Sequence, residues 1–261
     1  MKRFFRRNWK NILFQVYVFL VLAGIGIGTV EYGRYRRAVL PAGGGEVEQA
    51  ETNKTDAGST EAKKEFEVPD EKMAEALPAR IALTFDDGPH PVYTPKLLDG
   101  LRERGVHASF FLIGKNIEGH EDIVRQMEED GHLIGNHTWS HVKITDLDAA
   151  KACEEITKTS ELVKSITGKD TEYIRPPFGA WDKSLECGFA MFPVMWSVDP
   201  LDWTTSNTDQ VVQKVVSGIK ENDIILLHDC YESSVEAALR IVDILQAEGY
   251  EFVTADKMVL E

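Results

Sequence analysis

Seven short apolar runs, separated by segments with helical patterning, fill the chain from Arg80 onward and restrict its fold more than any other feature. They are IALTF (81–85), HASFFLI (107–113), HLIGN (132–136), EYIRP (172–176), FPVMWSV (192–198), DIILLH (223–228) and YEFVT (250–254). Strands that alternate with helices suit a parallel sheet wound with helices. The helix ends are legible between the runs. Thr94 is placed to cap one helix, with Pro95 in its first turn and Gly105 at its stop. Gly131, Gly168 and Gly249 are placed to stop others. The expected class is α/β with seven parallel strands, and no internal repeat is present.

Ahead of this region, Ile12 to Val30 form 19 residues without a charge, which at 1.5 Å per residue nearly match a hydrocarbon core of roughly 30 Å. The stretch reads as one transmembrane helix. Lys2, Arg3, Arg6, Arg7 and Lys10 precede it and Arg34, Arg36 and Arg37 follow, a bias that favours a cytoplasmic N-terminus. A cleaved signal peptide fits less well, because the apolar stretch is long and no A-x-A site precedes YGRYRR. Residues 31–78 carry little apolar content and read as a flexible extracellular linker, the part from 41 to 78 having a root-mean-square span of roughly 35 Å. The expected order is a basic tail (1–11), an anchor (12–30), a linker (31–78) and one folded domain (79–261), single-pass in the cell membrane.

The formal charge of −14 is unevenly spread, with +7 in residues 1–40 and −16 from Ile81 onward. A domain this acidic repels a polyphosphate backbone, so nucleic acid is excluded as a partner. No motif implies a protein partner. Cys153, Cys187 and Cys230 form no CxxC pair and read as small buried hydrophobes, with a Cys153–Cys187 bridge permitted in an oxidising compartment.

In a wound parallel sheet the chemistry gathers where strands end, at the carboxyl edge. The polar clusters obey that rule. The first run leads into Asp86, Asp87, Gly88 and Pro89, where two adjacent carboxylates diverge and can take two roles. As simple turn chemistry, the same residues would have Asp accepting backbone hydrogens and Gly supplying an unusual dihedral. The third run leads to His137 and His141, whose spacing places two imidazoles on one face of a helical turn. Two His and a carboxylate, with a position left for water, is the open ligand set of catalytic zinc. Three more run ends carry Arg175, then Asp199, Asp202 and Trp203, then His228 with Asp229. Each alone could be a surface corner, an acidic turn or a core histidine; together they mark a site.

From Arg80 to Leu260 the chain resembles the polysaccharide deacetylases, or NodB homology domains, of carbohydrate esterase family 4. The resemblance rests on five motifs in order: TFDDG (84–88), HTWSH (137–141), RPPFG (175–179), DPLDW (199–203) and LLH (226–228). It implies a distorted (β/α) barrel. It implies that Asp86 is a general base, that Asp87, His137 and His141 bind a divalent metal, and that Arg175 orients Asp86. His228 becomes a general acid, tuned by Asp202. Trp203 and Leu226 line a pocket for the acetyl methyl, and the backbone N–H of Phe178 serves the oxyanion. Phe178 stands where Tyr is common in the family, a difference of little consequence if only its N–H acts. Zn²⁺ is the expected metal, with Co²⁺ able to replace it.

The expected activity is therefore hydrolysis of N-acetyl groups on an extracellular glycan, peptidoglycan N-acetylglucosamine being favoured by the tether beside the wall. Chitooligosaccharide, a β-1,6-linked N-acetylglucosamine exopolymer and acetylxylan are alternatives that the same machinery could serve. A non-catalytic wall-binding module on the same fold is the alternative of another class.

Overall fold

A computed structural model describes residues 78–188 and 190–259. The tail, the spanning segment at 12–30 and nearly all of the linker lie outside the described residues. Among the described residues no helix is long and apolar enough to cross a membrane.

All seven expected strands form, and every pairing is parallel. They are β1 (Arg80–Asp86), β2 (Ser109–Leu112), β3 (Leu133–Asn136), β4 (Tyr173–Ile174), β5 (Phe192–Pro193), β6 (Ile224–His228) and β7 (Glu251–Val253). Their order is β5-β4-β3-β2-β1-β6, while β7 pairs with residues 80–82 of β1 and β2 with residues 84–86. Between β1 and its neighbours the side chains are buried on both faces, as the unalternating apolar run IALTF requires. Phe85 stacks on Phe110 with ring centroids 5.2 Å apart inside this core.

The run FPVMWSV does not remain one strand. Only Phe192 and Pro193 pair with β4, and five residues later Val198 makes an isolated parallel bridge to Ile225 of β6. The break has a physical cause: the next ladder donor would be Pro176, which has no N–H, and the carbonyls of Val194 and Met195 instead accept hydrogen bonds from the Arg175 guanidinium. The Val198 bridge joins the two ends of the strand order, so the sheet curls into a distorted and partly open barrel.

Helices α1 (Tyr93–Glu103), α2 (Gly114–Ile117), α3 (Glu121–Glu129), α4 (Ala149–Thr167), α5 (Thr208–Val216) and α6 (Glu232–Ala247) lie between the strands, and α7 (Asp256–Val259) follows β7. Apolar stripes seat them, as with Leu97, Leu98 and Leu101 of α1. Gly168 ends α4 at φ 75, the left-handed position expected of it. Thr94, by contrast, is not a cap. It lies inside α1 with its hydroxyl accepting from His90 N–H and donating to Asp229 Oδ2, and the N-cap, Val92, makes no side-chain bond. The cysteine expectation is also corrected: Cys153 of α4 forms a disulfide with Cys187, and Cys230 is free.

His132, at the entry to β3, carries a pH-dependent share of stability. Its Nδ1 accepts the Ala108 N–H at 3.0 Å, its ring lies edge-on to Phe110, and burial pulls its pKa down from 6.5 to about 4, with Asp130 opposing. Between those two values the unfolded chain binds a proton that the folded chain refuses. The contribution is therefore present above pH 6.5 and lost as pH falls towards 4, on the order of 3 kcal/mol in full. Urea midpoints at pH 7 and pH 5 are expected to differ less in His132→Asn, which keeps an acceptor for Ala108, than in the parent. Equal differences in the two proteins would dismiss this account.

Candidate metal centre and active site

The register of the sheet brings the reactive groups together. Asp86, the last residue of β1, is paired in register with His228, the last residue of β6. Asn136 ends β3 next to Ile174 of β4, so His137 and Arg175 leave the sheet side by side. His137 Nδ1 lies 2.5 Å from the Arg175 carbonyl, and since a carbonyl only accepts, that nitrogen carries the hydrogen. The bare Nε2 then points at Asp87 Oδ1, 3.4 Å away; His141 Nε2 is likewise 3.4 Å from Asp87 Oδ1.

These three donors fit a divalent cation. Their ligand atoms lie within 4.8 Å of one another. Asp87 Oδ1 is buried and accepts no hydrogen bond, although two ring nitrogens face it, and a bare imidazole nitrogen facing a carboxylate oxygen leaves two lone pairs to be shared by a cation.

Their approach does not come from a helical turn. His137 to His141 is an irregular loop in which Thr138 (φ 65) and His141 (φ 56) take left-handed backbone. In the DDGP turn it is likewise Asp87 that adopts the unusual dihedral, at φ 74. Gly88 is needed for another reason: a Cβ there would collide with the carboxyl of Asp229, which is fully buried and pushed up to about 7 by burial.

Two ion pairs flank the three residues. Asp86 is buried, its Oδ1 accepting from Arg175 Nη1 at 2.9 Å and its Oδ2 lying 3.8 Å from His137 Nε2. Arg175 is wholly buried; its Nη1 also donates to Thr84 Oγ1, and its guanidinium stacks on Phe111. On the other side Asp202 Oδ1 accepts from His228 Nδ1 and Oδ2 accepts from His228 N–H, both at 2.9 Å. Burial disfavours the His228 cation, but the Asp202 bond and charge, with Asp86 and Asp87, raise its pKa to about 9. His228 Nε2 is left 4.0 Å from Asp87 Oδ2.

A cavity of about 350 Å³ opens onto these groups. Phe178, Trp203 and Leu226 line it as expected, with Phe178 at φ 60 and Trp203 exposed. Asp199 is at its rim, while Arg175 and Asp202 act from behind it. Pro176, Trp196 and Tyr231 also line it and were not anticipated. Trp196 lies in a run that reads as plain strand, and Tyr231 is separated from His228 by two residues with no motif of its own.

A family model described as polysaccharide deacetylase matches residues 74–190. The peptidoglycan-N-acetylmuramic acid deacetylase PdaC of Bacillus subtilis is 34% identical over 191 residues, covering 73% of this chain and 41% of that protein. Its solved structure matches with a TM-score of 0.67 at 35% identity, over 69% of this chain and 90% of the solved chain. A peptidoglycan-N-acetylglucosamine deacetylase of Bacillus cereus is 36% identical over 191 residues, 69% of this chain and 68% of that protein. A family 4 acetyl xylan esterase from Clostridium thermocellum, solved with a cobalt ion, matches with a TM-score of 0.65 at 31% identity, over 69% of this chain and 90% of that one. The present chain thus spans about two fifths of the length of the B. subtilis protein.

Proposed function

The chain belongs to the polysaccharide deacetylase family, and on that premise we propose that it hydrolyses N-acetyl groups of peptidoglycan N-acetylglucosamine, as a metal-dependent enzyme tethered outside a membrane through residues 12–30. The observation that carries the activity is the pair of anchored proton carriers, Asp86 held by the Arg175 guanidinium and His228 held by the Asp202 carboxylate, flanking one metal-ligand triad. A wall-binding module would have no use for both.

Asp87, His137 and His141 would hold the cation, Zn²⁺ being the preferred metal for two imidazoles and a carboxylate. When bound, it supplies Lewis acidity that makes water a usable nucleophile near neutral pH and draws charge from the acetyl carbonyl. Asp86, pinned through Oδ1, keeps Oδ2 to take the proton of the attacking water. The Phe178 N–H donates to the oxygen that becomes negative as the carbonyl carbon turns tetrahedral, an interaction worth about 3–4 kcal/mol per donor. Trp203 and Leu226 receive the methyl group. His228, kept protonated by Asp202, gives its proton to the nitrogen as the C–N bond breaks. Acetate and a free amino sugar leave.

The glycan follows from the rim. Among the residues lining the cavity there is no Lys or Arg to pair with the lactyl carboxylate that distinguishes N-acetylmuramic acid, and Asp199 would repel it. A neutral N-acetylglucosamine fits better. The extracellular placement is supported by the Cys153–Cys187 disulfide, which suits an oxidising compartment.

Mass spectrometry of acetate release by the full-length protein tests the reading. Peptidoglycan fragments, chitooligosaccharides, a β-1,6-linked N-acetylglucosamine polymer and acetylxylan would be compared. Release from N-acetylglucosamine units of peptidoglycan is expected to dominate; release from N-acetylmuramic acid alone refutes the rim argument, and none from any glycan refutes the enzyme. Dialysis against a chelator is expected to abolish release, and added Zn²⁺ or Co²⁺ to restore it. Turnover that ignores the chelator sinks the metal assignment.

A further inference from the structure

His137 and His141 are held by different means. The His137 ring is oriented directly, through Nδ1 to the Arg175 carbonyl. Among the described residues nothing hydrogen-bonds the His141 ring from behind; the ring packs on those of His137 and Phe178, with centroids 5.0 and 4.9 Å away. Its placement therefore depends on its backbone, which sits at φ 56, a conformation that a residue with a Cβ keeps only where its surroundings impose it.

Helix α4 provides that imposition. Asn136 Oδ1 accepts from Thr138 N–H at 2.7 Å, while Asn136 Nδ2 donates to the Ile156 carbonyl of α4 at 2.8 Å. Lys158 Nζ lies 3.5 Å from the centre of the Trp139 ring. Ser140, immediately before His141, gives both of its donors to one side chain: its N–H goes to Glu155 Oε2 and its hydroxyl to Glu155 Oε1, each at 2.8 Å. Two parallel charge-assisted bonds fix direction as well as distance.

We propose that Glu155 is a positioning residue for the metal ligand His141, clamping Ser140 so that the His141 imidazole meets Asp87 and His137 at the cation. The proposal rests on the reading of Asp87, His137 and His141 as ligands. Outer partners of metal ligands are commonly worth 10–100-fold in affinity. A glutamine at 155 can preserve the clamp, its oxygen accepting the N–H and its amide donating to the Ser140 oxygen, whereas alanine keeps neither bond.

Cobalt titration of the full-length protein, followed by visible absorption, tests this without any glycan. Glu155→Ala is expected to weaken Co²⁺ binding about 10–100-fold and alter the band shape, with little change in the melting temperature of the metal-free protein. Glu155→Gln is expected to bind like the parent. Ser140→Ala, which keeps the N–H bond, is expected to show a smaller loss, and it carries the test if Glu155→Ala does not fold. Parent-like affinity and spectrum in both Glu155→Ala and Ser140→Ala overturn the clamp alone. A parent protein that binds no Co²⁺ overturns the ligand reading beneath it.

Discussion

Asp86→Asn is expected to lower kcat for acetate release by roughly 10²–10⁴-fold, the usual worth of one positioned base, while bound metal stays at the parent level. The amide nearly matches the carboxylate in shape, so the oxygen facing Arg175 can still accept, but the group in the place of Oδ2 can take no proton. Metal content should hold because Asp87, His137 and His141 are untouched. The substitution also strips the wholly buried Arg175 of its counter-charge, so the variant will melt earlier, and both proteins must be compared well below that transition. Full acetate release with metal intact would mean that another group takes the proton.

The central parallel strands were legible because β1, β2, β3, β4 and the middle of β6 are short apolar runs buried on both faces, a pattern that does not depend on distant partners. The motif residues were legible because strand ends put them on one edge. What escaped depended on side chains reaching across the fold. The fifth run leaves the sheet where its partner strand reaches Pro176, and the carbonyls of Val194 and Met195 turn to Arg175, which nothing in FPVMWSV announces. Thr94 looks like a cap until its hydroxyl proves to be engaged by Asp229, 135 residues away. The glycine of the DDGP turn serves the close approach of Asp229, while the strained dihedral falls on Asp87. Glu155 carries no signature, since a glutamate on an amphipathic helix reads as solvated surface until Ser140 is seen against it. The Asp87–His137–His141 cluster needed both kinds of information: the residue types came from the motifs, and their convergence from left-handed backbone that spacing alone does not reveal.

Arg175→Met is expected to be the most damaging single change, destabilising the folded domain by about 3–5 kcal/mol, because it leaves a buried charge unpaired. The guanidinium is shared among four partners: Nε on the Val194 carbonyl, Nη1 on both Thr84 Oγ1 and Asp86 Oδ1, and Nη2 on the Met195 carbonyl. Thr84 cannot compensate, since its hydroxyl hydrogen is already donated to the Ile225 carbonyl. Lysine offers a point charge in place of a planar fork, so Arg175→Lys should restore part of the stability and little of the activity, with Asp86 no longer held in one orientation. The double variant Asp86→Asn/Arg175→Met separates the contributions. With no buried charge left unpaired it should be more stable than Arg175→Met alone, yet as inactive as Asp86→Asn. Urea unfolding of the four proteins measures the coupling, and simple additivity of the two single changes would mean that the pair is not the joint that fixes the base to the sheet. If the coupling is found, the same guanidinium that takes up the carbonyls just past the fifth strand is what orients the Asp86 carboxylate, and the barrel is left partly open at the point where its chemistry is anchored.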